Sequence, residues 1–276
     1  MRSASAAASR ENKRIGIVPT MGYLHEGHLS LIEIAKLHCD IVVMTLFVNP
    51  TQFSPSEDFS VYPRSFADDS ALAAHAGVNI LFAPEAKEMY PADFDIYVCS
   101  EKFGTILEGS FRPAHFKGVL TIVAKLFHIV NPQIAVFGQK DYQQAFLIKK
   151  MTRDLDFDVE IVVVPIVREH DGLAMSSRNV YLSPTERTQA RALSHSLKIA
   201  EKLIAEGERS ATKIIATMKE HIIREQDARI DYIAITEPET LAPIEQLLPD
   251  TMALVVLAVH IGTTRLIDNI LIHIKH

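Results

Sequence analysis

The stretch Ile15-Gly16-Ile17-Val18-Pro19-Thr20-Met21-Gly22-Tyr23-Leu24-His25-Glu26-Gly27-His28 decides the fold. A β-branched apolar run closes on Pro-Thr-Met-Gly, and Leu29, Leu31, Ile32, Ile34 and Ala35 then follow a helical pattern. That is a buried strand turning into a helix, the first half of a βαβ unit. The first N–H groups of such a helix lack partners and carry the positive end of its dipole, so the junction suits an anion, phosphate above all. His25 and His28 are three apart, share a face of the first turn and lean toward its N-terminus, into that site. Gly22 permits the tight turn, and Gly27 clears a surface on which a flat ligand can lie. Two other readings of the pair stand beside this one: surface histidines at a helix start, and a metal pair, for which no third ligand has convincing spacing.

Working outward, Asp40–Val48 is a strand apolar on both faces, which belongs in the middle of a covered, mostly parallel sheet. It stops at Asn49-Pro50-Thr51-Gln52-Phe53, where proline ends the ladder. The pattern continues with a helix over Ser65–Ala76, a strand over Val78–Ala83, a helix over Phe116–Ile129 and a strand over Gln133–Phe137. A helix after Gly138-Gln139-Lys140-Asp141 and a strand over Val159–Val164 complete it. The alternation predicts an α/β fold: a doubly wound, Rossmann-like parallel sheet over residues 1–175, with ligands at the carboxyl ends of its strands. Arg168–Pro184 is polar and punctuated, a hinge or active-site loop. Ser183-Pro184-X-Glu186 then starts a helix, and Leu193, Leu197, Ala200 and Ile204 form its apolar stripe. A second helix over Ala211–Arg224 and strands over Ile230–Ile235, Met252–Ile261 and Leu266–Ile274 predict a smaller α+β domain over 176–276. Met1–Arg10 reads as a short or frayed helix rather than a transit peptide, because Glu11 follows and no hydrophobic core is present.

Across 276 residues the chain is 48% hydrophobic and 22% charged, an ordinary globular composition. A net charge of −6 gives no support to a nucleic-acid partner, so any anion site is local. Cys39 and Cys99, both in apolar strand-like runs, are too few for a disulfide framework and fit a reduced cytosol. Runs such as Met252–Val259 fall short of the roughly 20 apolar residues a membrane helix needs.

Each strand end of the first domain delivers polar residues. The first gives His25 and His28; the second, Asn49 and Gln52; the Gln133–Phe137 strand, Gly138, Lys140, Asp141 and Gln144; the last leads to Met175-Ser176-Ser177-Arg178. Lysine at a strand-to-helix turn suits a polyphosphate as a mobile point charge. Asp141 either accepts from a ribose hydroxyl or caps its helix. Ser176, Ser177 and Arg178 combine two hydroxyls with a fork-shaped cation, able to close over a triphosphate. Gln52 and Gln144 are amides that hydrogen-bond a small polar acid without adding charge. Arg112 and His115 either line the site or join a helix start to its surroundings.

The His-X-Gly-His pattern resembles that of the adenylyl- and cytidylyl-transferase superfamily. Six ordered motifs resemble one family of it, the pantothenate synthetases: Pro-Thr-Met-Gly-X-Leu-His-X-Gly-His, Val48–Phe53, Tyr62-Pro63-Arg64, Leu107–Phe116, Lys140–Gln144 and Asp171–Asn179. The resemblance implies condensation of (R)-pantoate with β-alanine, using ATP and Mg²⁺, through an enzyme-bound pantoyl adenylate. It implies ATP contacts from Met21, Gly22, Tyr23, Leu24, His25, Glu26, Gly27 and His28, from Gly138, Gln139, Lys140 and Asp141, and from Val167, Met175, Ser176, Ser177 and Arg178. His28 matches the proton donor, and His25, Lys140 and Arg178 join it as cationic partners of the phosphates. Gln52 would hold pantoate and border β-alanine, and Gln144 would hold pantoate. The metal ligands are left unassigned. A cytoplasmic homodimer and a lid role for the C-terminal domain are further implications. Tyr23, Ala114, Ile166 and His170 depart from the family's usual residues without removing a catalytic group.

Overall fold

The computed structural model describes residues 1–55 and 57–276, and the chain divides into two compact units, Met1–Pro165 and Ile166–His276. The first unit opens with α1 (Arg2–Arg10), then β1 (Ile15–Thr20), α2 (Glu26–His38), β2 (Ile41–Leu46), α3 (Phe66–Ala76) and β3 (Ile80–Phe82). Short helices α4 (Ala86–Met89) and α5 (Glu108–Phe111) lead to α6 (His115–Val130), β4 (Ile134–Gly138), α7 (Tyr142–Asp154) and β5 (Glu160–Val164). The five strands are all parallel, in the order β3-β2-β1-β4-β5.

Alternation along the strands explains the two layers. Ile15 and Ile17, Val43, Ala135 and Phe137 face α1, α6 and α7, while Val18, Val42 and Met44, Ile134 and Val136 face α2 and α3. Both faces are therefore covered, which is why these strands read as unbroken apolar runs. The order reverses at β1: the chain goes to β2 and β3 on one side, then returns to β4 and β5 on the other. Beyond the carboxyl ends of β1 and β4 such a sheet leaves a crevice, the place where open α/β sheets bind ligands.

The second unit holds α8 (Pro184–Ala205), α9 (Ala211–Ile222) and the strands β6 (Ala228–Thr236), β7 (Met252–Ile261) and β8 (Thr264–His273). The strands form an antiparallel sheet in sequence order. Ser183 caps α8 by accepting from Glu186 N–H, while Glu186 reaches back to Ser183 N–H at 2.9 Å. Leu193, Leu197, Ala200 and Ile204 are buried against the sheet, as their spacing predicts.

Two details differ from the sequence reading, and the short helix expected at the N-terminus is present. Residues 166–175, expected with the first domain, group with the second unit: Arg168 forks onto Asp268 at 2.7 and 2.9 Å, and Met175 N–H donates to Val167 O. Neither cysteine lies in a strand; Cys39 ends α2, its Sγ donating to Ala35 O, and Cys99 is exposed in a loop. The N-terminal segment is a nine-residue helix with Ser5 and Ala8 buried, so its small residues serve a packed face.

Candidate active site

The turn between β1 and α2 is held from a distance. Gly22 adopts φ +89°, and Tyr23, at φ +53°, sits in the same left-handed region. The buried carboxylate of Asp69, on α3, accepts Tyr23 N–H at 2.8 Å and Leu24 N–H at 2.7 Å. Two amides clamped on one carboxylate fix a backbone that non-glycine residues rarely adopt. A side chain at position 22 would meet Asp69 Oδ2 at 2.9 Å, so glycine is required there for space as well as for φ.

His25 is not inside α2 but caps it. Its Nδ1 accepts from Gly27 N–H at 3.1 Å, and His28 Nδ1 accepts from His25 N–H at 3.3 Å, a reciprocal capping box built from imidazoles. The rings stack with centroids 4.0 Å apart. Because each Nδ1 is an acceptor, the proton of each neutral ring sits on Nε2, giving two N–H donors. Part of His28 reaches solvent, yet its ring is packed deeply enough that burial, then His25 and Lys140, push its pKa down to about 3. His28 is therefore a neutral donor near pH 7, which corrects the expectation that it adds positive charge. The amides around this helix start are also less open than a bare terminus, since Asp69 takes those of Tyr23 and Leu24, His28 that of His25, and His25 that of Gly27.

Across the switch point, β4 ends at Gly138, whose missing side chain would point into open space. Gln139–Asp141 forms a 3-10 turn, and Lys140 lies close enough to His28 to affect its ionisation. Asp141 stands at the N-cap of α7 without a side-chain capping bond and is exposed, which removes the capping reading.

At the end of β2, Pro50–Gln52 forms another 3-10 turn. Gln52 is only 7% exposed; its Oε1 accepts from Asn49 Nδ2 at 3.0 Å, and its Nε2 lies 3.1 Å from Met21 Sδ. Gly118 of α6 lets this turn approach, since a Cβ there would meet Thr51 O at 2.4 Å and Gln52 N at 2.5 Å. Arg112 joins Glu57 to His115, and the His115 Nδ1 lies 3.0 Å from Gln52 O. Gln144 is half-buried on α7. Its neighbour Gln143 is structural: its Oε1 accepts Glu108 N–H at 3.0 Å, and its Nε2 donates to Phe103 O and Ile106 O. It clasps a segment in which Leu107 holds φ +48°.

In the second unit, Arg168 and Ala174 bridge a small hairpin around Asp171-Gly172. Arg187 binds Glu169 at 2.6 Å and Asp171 at 3.1 Å. Burial alone would raise the Glu169 carboxyl, but bonds from Arg187 and Asn179 outweigh it and hold its pKa low. Ser176 Oγ accepts Arg178 N–H, starting the turn over Ser177–Tyr181. Met175–Arg178 is thus a braced loop within its own unit.

The first unit brings Met21–His28, Gln52 and Gly138–Asp141 to one rim of a parallel sheet, while Val167 and Met175–Arg178 belong to the second unit. Sequence reasoning missed Asp69 and the clasp made by Gln143. Asp69 alone left a signal, a carboxylate one helical turn before buried Ala73. A Rossmann-like sheet with a histidine-capped helix at its switch point has the architecture of a nucleotide-binding α/β protein.

Comparison with known proteins narrows that class. The family model for pantoate-beta-alanine ligase matches residues 1–271, and the chain belongs to that family. A pantothenate synthetase of Moorella thermoacetica is 51% identical over 275 residues, covering 100% of this chain and 96% of its own. One of Thermotoga petrophila is 52% identical over 269 residues, covering 98% and 95%. The crystal structure of pantothenate synthetase from Thermus thermophilus superposes with a TM-score of 0.92 at 45% identity, covering 99% of this chain and 97% of that one. Pantoate-beta-alanine ligase from Francisella tularensis, complexed with beta-gamma ATP and beta-alanine, gives 0.77 at 34% identity, covering 97% and 94%.

Proposed function

We propose that this chain makes pantothenate from (R)-pantoate and β-alanine, with ATP converted to AMP and pyrophosphate. The observation that carries the reading is the His25–His28 capping box at the β1/β4 switch point, in a chain that belongs to the ligase family along its length. Pantoate carboxylate attacks the α-phosphorus of ATP, the bond to the pyrophosphate oxygen breaks, and an enzyme-bound pantoyl adenylate forms. The amine of β-alanine, in its neutral form, then attacks the acyl carbon, AMP leaves, and the amine proton passes to solvent.

The difficulty is electrostatic, because two anions must meet. Catalysis is therefore largely positioning and charge compensation. His25 and His28 offer Nε2–H donors to the phosphates, and Lys140 supplies full positive charge. Met21, Gly22, Tyr23, Leu24, Glu26, Gly27, Gly138, Gln139 and Asp141 complete the proposed ATP contacts of the first unit. Val167, Met175, Ser176, Ser177 and Arg178 are the proposed ATP contacts of the second unit. Gln52 holds pantoate and borders β-alanine, and Gln144 holds pantoate. Functionally we keep 1–175 as the catalytic segment and 176–276 as the C-terminal domain.

Among the described residues, no group of three His, Cys, Asp or Glu is placed to hold a metal ion. The described side chains build no Mg²⁺ cage, and we assign Mg²⁺ to the substrate, arriving on ATP with phosphate oxygens and water as ligands. No helix of the described residues is long and apolar enough to cross a membrane. A cytoplasmic homodimer remains part of the proposal, supported by the family likeness and by the two free cysteines.

Incubating the purified chain with pantoate, β-alanine and ATP tests the reading by mass spectrometry. Pantothenate and AMP in equal amounts are expected; ADP formation, or a dinucleotide product, would overturn it.

A further inference from the structure

Gln52 can meet a carboxylate in two ways, and the surrounding bonds choose one. Asn49, only 1% exposed, has both polar atoms of its side chain engaged. Its Oδ1 accepts the Tyr90 O–H at 2.8 Å and Thr51 N–H at 3.4 Å, and the single Thr51 hydroxyl proton lies within reach of both this oxygen, at 3.0 Å, and the Tyr90 oxygen, at 3.2 Å. Its Nδ2 donates to Gly118 O at 3.2 Å and Gln52 Oε1 at 3.0 Å. A backbone N–H can only donate and a backbone carbonyl can only accept, so Thr51 N and Gly118 O fix which end of the Asn49 amide is oxygen. With Asn49 fixed, Gln52 must turn Oε1 toward it and present its NH₂ outward, beside Met21 Sδ.

We infer that Tyr90 is a positioning residue for the acid substrate: its hydroxyl reinforces the hold that Thr51 N–H and Gly118 O have on Asn49, and Asn49 in turn keeps Gln52 a pure donor toward the pantoate carboxylate. Released, the Gln52 amide could rotate and set its oxygen against the carboxylate, an acceptor facing an acceptor. The Tyr90 ring is held independently of its hydroxyl, edge-on to Phe94 at 5.0 Å and beneath Lys125 Nζ at 5.8 Å. Burial pushes the phenol's pKa up, against the hydrogen bonds from Thr51 and to Asn49, so it stays a donor throughout the working range. The inference rests on the ligase reading of the site.

The test is Tyr90→Phe, which keeps the ring, with Asn49→Asp beside it, which puts an oxygen against Gln52 Oε1. Steady-state kinetics are measured for pantoate and for ATP, with melting temperature as a check on folding. Tyr90→Phe is expected to raise KM for pantoate about fivefold, the worth of one neutral hydrogen bond, with KM for ATP and kcat within about twofold of the parent. Asn49→Asp is expected to raise KM for pantoate by more than tenfold, a loss of roughly a buried bond to a charged group. An unchanged KM for pantoate in Tyr90→Phe, or parallel rises for pantoate and ATP, would overturn the inference while leaving the ligase reading in place. A parent chain that forms no pantothenate would overturn both.

Discussion

Removing the Asp69 carboxylate probes the link between a distant helix and the histidine motif. Asp69 is 4% exposed and accepts two backbone N–H groups, from Tyr23 at 2.8 Å and Leu24 at 2.7 Å. In Asp69→Ala both amides lose their partner, and a buried unsatisfied donor costs about 1–3 kcal/mol. Relief from burying the carboxylate itself offsets part of this, so the net loss is about 3 kcal/mol. Asp69→Asn retains one acceptor and turns its NH₂ against the other N–H, for a loss of about 2 kcal/mol. At roughly 2–4 °C per kcal/mol for a unit of this size, melting should fall by about 5–10 °C. The chemical step should suffer as well, because His25 follows Leu24 directly and a misplacement on the order of 1 Å can cost about a hundredfold. Scanning calorimetry and pantoate-dependent pyrophosphate exchange measure the two effects on one sample. Melting within about 1 °C of the parent with full exchange in both variants would refute the argument that Asp69 holds the turn.

Other consequences follow from the same geometry. His28 ionises near pH 3 when folded and near its ordinary value of 6.5 when unfolded, so only the unfolded chain binds this proton in between. Stability should therefore fall by about 1 kcal/mol per pH unit as pH drops from 6.5 toward 3, with no contribution above 6.5. His28→Gln should flatten that limb in melting curves taken across the pH range, and an equally steep fall in the variant would contradict the burial argument. Gly118→Ala drives a methyl onto Thr51 O and Gln52 N, at a cost of about 1–3 kcal/mol, with weaker pantoate binding than ATP binding as its kinetic signature. Lys140→Ala should slow single-turnover adenylation by about 10²-fold, the scale for losing a transition-state charge stabiliser. Parent-like turnover would remove Lys140 from the chemistry.

The fold was legible because covered parallel strands leave an unmistakable composition. Asp40–Val48 is apolar but for Asp40 and Thr45, since α6 lies on one face of β2 and α2 and α3 on the other. The capping boxes of α2 and α8 both existed in the sequence, but only that of Ser183 and Glu186 used residue types from which a cap is read. His25 and His28 look like ligand groups first, so their mutual hydrogen bonds, and the low pKa that burial imposes on His28, were hidden. Asp69 and Tyr23 lie 46 positions apart, and Tyr90 and Asn49 lie 41 apart. Pairing over such distances depends on which helix covers which strand end, and local spacing carries no record of it. The same holds for Gln143 and Gln144: adjacent in sequence, they point to different sides of α7, one clasping the backbone at 103–108 and the other half-buried. The segment 166–175 read as the tail of the first domain because it follows its last strand, yet Asp268, one hundred positions on, draws Arg168 into the second unit.

Isotope exchange between labelled pyrophosphate and ATP examines the account at its root, because it reports formation of an acyl adenylate before any amine arrives. With pantoate present and β-alanine absent, label should enter ATP, and omitting pantoate should stop it. Exchange that ignores pantoate, or that begins only once β-alanine is added, would contradict the proposal that pantoate carboxylate attacks the α-phosphorus first.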